Sequence, residues 1–506
     1  MTETVVREIE RKYELPEGVA LPPLDDLPGV EVDVAADVFD LEAVYFDTSD
    51  LRLATHRITL RRRTGGDDAG WHLKLPAGPD GRDEIRWPLG RASRTVPAEL
   101  KSLVTAYTRG AALAPVARIK TTRTRRRLRD TGGAVLAEVV ADEVAGQTLG
   151  QESTVSSWSE LEVELAGGRA ELLDTVEKRL RAAGVRRSAS GSKLARVLAD
   201  RLPDARSRRS ARRKKKSVGV VVVDHLREQV ATILEYDPRV RRDEPDSVHK
   251  MRVATRRLRS ALRTFKSVVD RDATRAVGDE LKWLAGVLGG ARDLEVLRES
   301  LDRKIDATPD ELVVGPVRAR VTGHLAHQQA QARERVLEAL NSKRYFALLD
   351  ALDDLAENPP LTRGAADPAA RALPNTLRRS HRRVAREIDA AATLPPGEQR
   401  DHLLHEARKS AKRARYAAEA SQPALGKVAK KFAAAMEGVQ EDLGAHQDSV
   451  VARQVLRQLG MQAHLAGENG FTFGLLHRGE QALADAVEER IPAVRRAVRG
   501  AGRRLR

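Results

Sequence analysis

Hydrophobic and polar residues alternate in short runs along residues 1 to about 200, and glycine, proline and aspartate separate the runs. In GWHLKLPAG, Trp71, Leu73 and Leu75 fall on one face of an extended chain, and His72 and Lys74 fall on the other. SWSELEVELAGG and HRITLRRR alternate in the same way. A period of two residues with this punctuation predicts antiparallel strands.

The pattern changes near residue 218, where apolar residues begin to recur every three or four positions. Alanine, leucine, arginine and glutamate dominate from there on, which predicts an all-α domain over residues 218–506. The strand-rich part, with helices expected at residues 169–183 and 191–201, forms an N-terminal domain of residues 1–203. Residues 204–217 are almost wholly basic without apolar periodicity, which indicates an exposed linker or a phosphate-binding arm.

The helical half repeats itself. The segment SVHKMRVATRRLRSALRTFK resembles LLHEARKSAKRARYAAEA, and LGGARD resembles LGAHQD at nearly the same offset. Two matches in register predict an internal duplication of helices. The two copies are expected at about residues 218–340 and 370–506.

Charged residues occupy one face of several predicted strands, while the opposite face is mostly apolar. These rows are Glu8, Glu10 and Lys12; Arg57, Arg61 and Arg63; Lys74, Glu84 and Arg86; and Glu160, Glu162 and Glu164. Neighbours in a row lie about 7 Å apart, so like charges repel unless a counter-charge lies between them. A charged face is more often the solvated side of a sheet. Acidic and basic rows in one small domain instead favour a closed barrel whose charged interior holds metal ions and a polyanion.

The residue types in these rows point to phosphate chemistry. The candidate metal ligands are all carboxylates, and hard oxygen ligands suit Mg²⁺ or Mn²⁺. Basic rows suit linked phosphate groups, which arginine can bind through two hydrogen bonds. Metal, phosphate and an enclosed site together predict phosphoryl transfer.

Composition narrows the choice of partner. The formal net charge is +16 and the sequence pI is about 10.1, which favours anionic partners such as nucleic acid or phosphate polymers. Cysteine is absent, which excludes disulfides and thiolate metal sites. No apolar signal sequence or membrane-spanning run is found, so we expect a soluble cytoplasmic protein.

The N-terminal half resembles the CYTH family of triphosphate tunnel metalloenzymes. EIERKYEL resembles the family's ExExK signature, and VYFDTSDLRLATHRITLRRR, WHLKLP, VARIKTTRTRRRL, AEVVADEV, SELEVELA and SGSKLARVLA follow in the family's order over residues 5–200. The resemblance implies an eight-stranded antiparallel tunnel that hydrolyses a triphosphate with a divalent metal.

The resemblance and the charged rows together give roles to individual residues. Catalysis would involve Glu8, Glu10 and Lys12. Metal ligands would be Glu8, Glu10, Asp142, Glu160, Glu162 and Glu164. The resemblance assigns phosphate binding to Lys12, Arg61, Arg63, Lys74, Arg118 and Lys193, and the strand rows add Arg57, Glu84 and Arg86 to the substrate site. Arg123 and Arg125 are also candidates, and the sequence leaves open which of them faces the tunnel.

Basic residues form one stripe on each repeated helix. Steps of three and four place them on one helical face: His249, Arg252, Arg256, Arg259 and Arg263 in the first copy, and His405, Arg408, Lys409, Lys412 and Arg415 in the second. The opposite faces are apolar, with Met251 and Leu258 in one copy and Ala407 and Ala411 in the other. Cations along one face repel one another, which favours a polyanion as ligand.

These two helices resemble those of the CHAD family, named for its conserved histidines, over residues 218–506. The resemblance implies two pseudo-symmetric four-helix bundles around a basic groove that binds inorganic polyphosphate, with the stripe residues as contacts. Glu406 at the position of Lys250, and Lys412 at that of Arg256, depart from exact repetition. Nucleic acid is the alternative ligand, but aromatic residues make up only 3% of the chain, which disfavours base stacking.

The sequence therefore predicts a triphosphatase, with tripolyphosphate as the expected substrate and Mg²⁺ or Mn²⁺ as cofactor. Its helical domain would bind polyphosphate and hold the enzyme at polyphosphate granules. One alternative is a non-catalytic polyphosphate-binding scaffold. The other is a nucleic-acid-binding helical domain joined to a tunnel that acts on a nucleotide or on thiamine triphosphate.

Overall fold

The computed structural model describes most of the chain. The described residues are 4–16, 21–25, 27, 29–32, 36–77, 81–90, 94–150, 152–202, 217–395, 397–503 and 505, without the side chains of residues 445–447 and 488. Of the predicted basic linker 204–217, only Ser217 is among them; the rest lies outside the described residues. The chain divides into two compact units, residues 1–208 and 209–506. Within the described ranges, no helix combines the length and apolar character needed to cross a membrane.

The first unit is built on an antiparallel sheet of ten strands. The strands are β1 (Thr4–Glu14), β2 (Glu31–Val32), β3 (Asp37–Asp47), β4 (Thr59–Thr64), β5 (Gly70–Pro76), β6 (Gly81–Trp87), β7 (Ala114–Arg129), β8 (Val135–Thr148), β9 (Val155–Leu165) and β10 (Arg186–Arg187). The long strands follow the order β1-β6-β5-β4-β3-β7-β8-β9, and β1 pairs again with β9. This pairing closes an eight-stranded barrel and confirms the predicted fold.

Short helices connect and cover the strands. They are α1 (Arg52–Thr55), α2 (Ala98–Leu103), α3 (Thr105–Thr108), α4 (Ala170–Ala182) and α5 (Lys193–Val197). The outward side chains of Tyr13 in β1 and of Leu161 in β9 are fully buried in one apolar cluster with Leu173, Val176 and Leu180 of α4. Because the apolar strand faces pack outward under α4, the charged faces point into the barrel.

The second unit is helical throughout its described length. Its helices are α6 (Val218–Arg241), α7 (Ser247–Thr264), α8 (Arg275–Asp306), α9 (Val317–Leu340), α10 (Lys343–Glu357), α11 (Ala369–Ala391), α12 (Glu398–Leu425), α13 (Lys427–Leu465) and α14 (Phe471–Arg503). The helices that carry the two similar segments, α7 and α12, pack against each other. Their apolar stripes are buried, with Met251 and Leu258 of α7 and Ala407 and Ala411 of α12 all at 0% exposure.

The second segment match has a structural counterpart in these helices. Arg252 of α7 lies against Gly289 of α8, and Arg408 of α12 lies against Gly444 of α13. A β-carbon on either glycine would come within 3.2 Å of the guanidinium group. Glycine at both places therefore lets an arginine lie flat against the neighbouring helix.

Candidate functional site

The barrel encloses a cavity of about 390 Å³ lined mainly by charged side chains. Nine of the lining side chains are basic and eight are carboxylates, so the interior is almost neutral in sum, and most of these side chains are paired with one another. The basic set is Lys12, Arg61, Arg63, Lys74, Arg82, Arg86, Arg123, Arg125 and Lys193; the acidic set is Glu8, Glu10, Asp67, Asp68, Glu84, Glu138, Glu162 and Glu164.

An acidic group forms where β1 meets β9. Glu10 lies directly opposite Glu164 across the two strands, a position that brings β-carbons within about 5.5 Å. Lys12 Nζ is 3.2 Å from Glu10, and Lys74 Nζ is 2.6 Å from Glu8. Glu164 has no cation within 4 Å among the described residues. Burial, and then the carboxylate of Glu8, raises the pKa of Glu164 to about 7. Glu8 and Glu10 are therefore paired with cations, whereas Glu164 is left without one among the described residues.

That missing charge is what a hard divalent cation would supply. Glu8, Glu10 and Glu164 offer only oxygen ligands, which Mg²⁺ and Mn²⁺ prefer. Like-charged carboxylates directly opposite each other destabilise a sheet unless a cation lies between them. The three residues therefore offer the ligand chemistry of a divalent metal, and they are candidates to hold it.

A second acidic group is already neutralised. Carboxylate oxygens of Asp142, Glu160 and Glu162 lie within 4.8 Å of one another, as in a metal site. However, Lys193 Nζ lies among them, 2.8 Å from Asp142, 2.6 Å from Glu160 and 2.9 Å from Glu162. Arg123 adds two hydrogen bonds to Asp142, of 2.8 and 2.7 Å. A metal ion here would have to displace the ammonium group, and the predicted role of Asp142 and Glu160 as metal ligands stays a prediction.

The protonation of this Lys193 cluster follows from its charges. Burial alone would lower the pKa of Lys193, but Glu162, Asp142 and Glu160 raise it above its ordinary value. Burial alone would likewise raise the pKa of Glu162, but Lys12, Lys193 and Arg123 hold it well below its usual range. Lys193 and Glu162 therefore stay ionised, and α5 is anchored to the barrel through its first residue.

Basic residues on β4 and β7 face the acidic group from the other side of the cavity. Arg61 and Arg63 come from β4, and both Arg123 and Arg125 of β7 line the cavity, so both sequence candidates face inward. Arg63 contacts the carboxylate of Asp68. Burial, with Arg61 and Arg123 nearby, nevertheless lowers the pKa of Arg63 to about 9. This side of the cavity therefore favours an anion.

The carboxylate of Glu84 on β6 holds several cationic side chains of the cavity in position. Its carboxylate accepts hydrogen bonds from Arg86 Nε at 2.5 Å and from His72 Nδ1 at 2.8 Å, and lies 3.4 Å from Lys74 Nζ. His72 is buried, and its Nε2 lies 2.9 Å from the carbonyl oxygen of Asp68. Glu84 was predicted in the substrate site; it lines the cavity, and its contacts hold Lys74 and Arg86 in position.

In the helical unit, cations from α7 and α12 converge. Burial, and then Arg256, Arg408 and Arg252, lower the pKa of Lys412 to about 7. Burial also lowers the pKa of Arg256, with contributions from Arg252 and Arg408. Among the described residues, neither Lys412 nor Arg256 has a carboxylate within 4 Å. These four half-buried cations form a site with unbalanced positive charge.

The remaining predicted helical residues lie around this group with different environments. Burial lowers the pKa of both His249 and His405. Lys409 is exposed and lies 2.8 Å from Glu406. Arg263 is exposed at the end of the first stripe, whereas Arg415 is held between carboxylates. The predicted stripes are therefore present, but their members are not equally available to a ligand.

Comparison with known proteins identifies both units. The CYTH domain profile matches residues 6–198, and the CHAD domain profile matches residues 224–457. Uncharacterised proteins from two strains of Mycobacterium tuberculosis are 40% identical over 517 residues, covering 99% of this chain and 98% of theirs. The chain belongs to the CYTH and CHAD families. Its barrel is a CYTH tunnel, and its helical unit contains a CHAD domain.

Solved structures show further similarity. PptA from Streptomyces chartreusis is 23% identical, with a TM-score of 0.46, and the match covers 56% of this chain and 99% of that chain. The CHAD domain from the plant Ricinus communis is 25% identical, with a TM-score of 0.40, and the match covers 56% of this chain and 92% of that chain.

Two residues predicted for the CYTH tunnel do not line its main cavity. Arg118 is exposed on the outer face of β7, 3.4 Å from Glu42, because the inward positions of that strand are odd-numbered. Arg57 precedes β4 in a turn with φ of 64°, so it does not continue the row of Arg61 and Arg63. It lines an adjoining cavity of about 150 Å³, which shares Glu10, Lys12 and Arg82 with the main cavity.

The CYTH tunnel also contains residues that the sequence prediction omitted. Arg82 lies two positions before Glu84 on β6 and so occupies the same face of the strand as Glu84 and Arg86. The alternation with a period of two could therefore have identified it as a tunnel residue. Tyr45 lines the cavity from β3, with its hydroxyl 3.4 Å from Arg61 Nη1. Asp68 follows β4 in the connection to β5, and no periodic signal marks it.

Proposed function

We propose that the CYTH domain hydrolyses inorganic tripolyphosphate with Mg²⁺ or Mn²⁺, and that the CHAD domain binds inorganic polyphosphate. One observation carries the first part. One cavity holds the clustered arginines Arg61, Arg63 and Arg123 and also the carboxylate of Glu164, which has no cation within 4 Å among the described residues. Linked phosphates with a divalent cation would satisfy both, because they bring negative charge to one side and positive charge to the other.

Different residues of the tunnel would bind the phosphates, orient them and hold the metal. Arg61 and Arg63 bind phosphate oxygens through charge-assisted hydrogen bonds. Lys74 and Arg86, held in place by Glu84 and Glu8, orient the phosphate that faces the acidic group. Glu8, Glu10 and Glu164 would hold the metal. A bound divalent cation would neutralise phosphate charge and lower the pKa of a coordinated water, which is the chemistry of phosphoanhydride hydrolysis.

The size and lining of the cavity support an inorganic triphosphate. A volume of about 390 Å³ is at the lower end of the range for small-molecule sites. Phe39 and Tyr45 are the aromatic residues in the described lining, and Arg125 covers the ring of Phe39 at 4.8 Å. Little surface is therefore left for stacking an adenine or thiamine ring.

The CHAD domain would supply the polymer-binding part. Arg252, Arg256, Arg408 and Lys412 form a cation group without carboxylates to neutralise Arg256 or Lys412. Inorganic polyphosphate presents a regular row of charge and needs no base-reading side chains. Such binding would hold the enzyme at polyphosphate granules in the cytoplasm.

Phosphate release tests the catalytic part. The wild-type chain should release phosphate from tripolyphosphate with Mg²⁺ or Mn²⁺ and stop when EDTA is added. Glu10→Ala should lower kcat at least about 100-fold, because it removes a metal ligand. Glu42→Ala, on the exposed outer face of β3, is the matched control and should keep full activity. Full activity in Glu10→Ala would exclude that residue from the mechanism.

Substrate comparison separates the alternatives. Thiamine triphosphate, ATP and long polyphosphate are assayed beside tripolyphosphate, and the highest kcat/KM identifies the substrate. Release from none of them, by a folded protein that still binds polyphosphate, would establish a non-catalytic scaffold. Competition at fixed salt tests the CHAD ligand, because both polymers bind with strong salt dependence. DNA or RNA displacing polyphosphate would overturn that assignment.

A further inference from the structure

The basic stripes of α7 and α12 begin alike. Arg252 lies 2.9 Å from Asp293 of α8, and Arg408 lies 3.8 Å from Asp448 of α13. Each of these arginines is paired with one partly exposed aspartate. The first halves of the two stripes therefore have matching environments.

The stripes end differently because two positions reverse their charge between the copies. The offset that aligns His249 with His405 places Glu419 where the first copy has Arg263. The offset that aligns LGGARD with LGAHQD places Glu437 of α13 where α8 has Lys282. Both reversals add a carboxylate to the second copy and remove a cation from it.

These two glutamates hold the last arginine of the second stripe. Arg415 Nε donates to Glu419 at 2.8 Å, and Arg415 Nη2 lies 2.8 Å from Glu437. Arg257 of α7 also reaches Glu419, at 2.8 Å. Contact with a polyanion would require Arg415 to give up two ion pairs and would bring the phosphates close to two carboxylates.

The equivalent arginine of the first stripe has no such partner. Among the described residues, neither Arg259 nor Arg263 has a carboxylate within 4 Å. Burial, and then Arg263, lowers the pKa of Arg259. Arg263 itself is exposed at the end of α7. Positive charge therefore continues to the end of the first stripe, whereas it is cancelled in the second.

We propose that the polyphosphate track of the CHAD domain is asymmetric: the phosphate chain follows α7 through Arg259 and Arg263, and contacts α12 only at Arg408 and Lys412. Arg415 joins α12 to α13 and does not bind phosphate. From Arg252 to Arg263 the track extends about 17 Å along the helix axis. This inference rests on the proposed polyphosphate binding and specifies which residues perform it.

Arg259 and Arg415 occupy equivalent positions in the two repeated helices, so substitutions at these two positions form a matched pair of variants in the full chain. Arg259→Gln should weaken binding of long-chain polyphosphate about tenfold at low salt, because one charge-assisted contact is lost. The slope of log K against log[salt] should become shallower by about 0.7 to 0.9, as for one lost phosphate contact in nucleic-acid complexes. Arg415→Gln should leave both quantities unchanged within twofold. Circular dichroism at 222 nm confirms that both variants are folded.

A gain of binding provides a test that misfolding cannot imitate. Glu419→Gln releases Arg415 from one carboxylate and should tighten polyphosphate binding severalfold. Equal losses in Arg259→Gln and Arg415→Gln, or weaker binding by folded Glu419→Gln, would overturn the asymmetric track while leaving polyphosphate binding intact. Failure of the wild-type chain to bind polyphosphate would overturn the proposed function as well, so the two failures are distinguishable.

Discussion

Replacing Lys193 with methionine tests whether the tunnel wall depends on its ion-pair cluster. The ammonium group is nine-tenths buried and lies within 2.9 Å of three carboxylates. Methionine keeps most of the side-chain volume but removes the charge. Asp142 and Glu160 would then depend on Arg123 and on Trp158, whose Nε1 donates to Glu160 at 2.6 Å.

The expected cost is that of breaking a buried ion pair, about 3–5 kcal/mol. Domains are stable by about 5–15 kcal/mol, so the variant should still fold in the absence of denaturant. Denaturant titration of the full chain, followed by tryptophan fluorescence, measures the change in the free energy of unfolding. The CYTH barrel contains Trp71, Trp87 and Trp158, three of the four tryptophans.

Lys120→Met is the matched control, because Lys120 lies on the exposed outer face of β7. Its effect should stay within about 0.5 kcal/mol, as for most surface substitutions. A loss below about 1 kcal/mol in Lys193→Met would refute the view that three carboxylates depend on this ammonium.

The pH dependence of the stability loss in Lys193→Met provides a second test of the ion-pair cluster, and its direction can be predicted. Lys193 and Arg123 hold the pKa of Asp142 below its ordinary value despite burial, so its stabilising contribution is present above about pH 4 and lost at lower pH. Without Lys193, burial raises the pKa of Asp142 and Glu162, and their ionised forms become costly. The deficit of Lys193→Met should therefore be larger at pH 8 than at pH 5. An equal deficit at both values would contradict the assigned cause.

Two further predictions concern ligand binding. Arg63→Gln should raise KM for tripolyphosphate about tenfold through loss of a charge-assisted contact, whereas Arg118→Gln on the outer face should not; equal effects would contradict the inward and outward placement. Lys412 is surrounded by Arg252, Arg256, Arg408 and Arg415 and loses its proton near pH 7. Polyphosphate affinity should therefore fall between about pH 6.5 and 8. The variant Lys412→Arg should abolish that fall, because arginine keeps its charge over this range. A fall that persists in Lys412→Arg would point to another titrating group.

The sequence predicted the barrel because its strands keep a strict period of two. The first strand alternates charged Glu8, Glu10 and Lys12 with side chains that include the fully buried Tyr13. The prediction was weakest for β7, where basic residues occur at both even and odd positions. Arg118 and Lys120 point outward, and Arg123 and Arg125 point inward. Composition alone cannot choose between two basic faces. The choice follows from pairing with β3 and β8, which is a property of the closed sheet.

The sequence also could not show which charged side chains are neutralised by ion pairs, because the partners come from distant parts of the chain. The metal-ligand candidates Asp142 and Glu160 are neutralised by Lys193, which comes from a helix outside the sheet. Likewise, Arg259 and Arg415 occupy equivalent positions in the repeats, and the contacts of Arg415 with Glu419 and Glu437 distinguish them. A pattern predicts which face a charged residue occupies, but three-dimensional neighbours decide whether its charge remains available to a ligand.

Closure of the barrel has a consequence for how this protein is made. Residues 10–14 of β1 pair with β9, and α4, which covers the outer face of β1, follows β9 in the chain. A ribosome that adds about 5–20 residues per second needs roughly 10–30 s between these segments. During that interval the apolar face around Tyr13 has no native cover, and one backbone edge stays open. We therefore expect the nascent chain to bind holding chaperones until residue 182 has emerged.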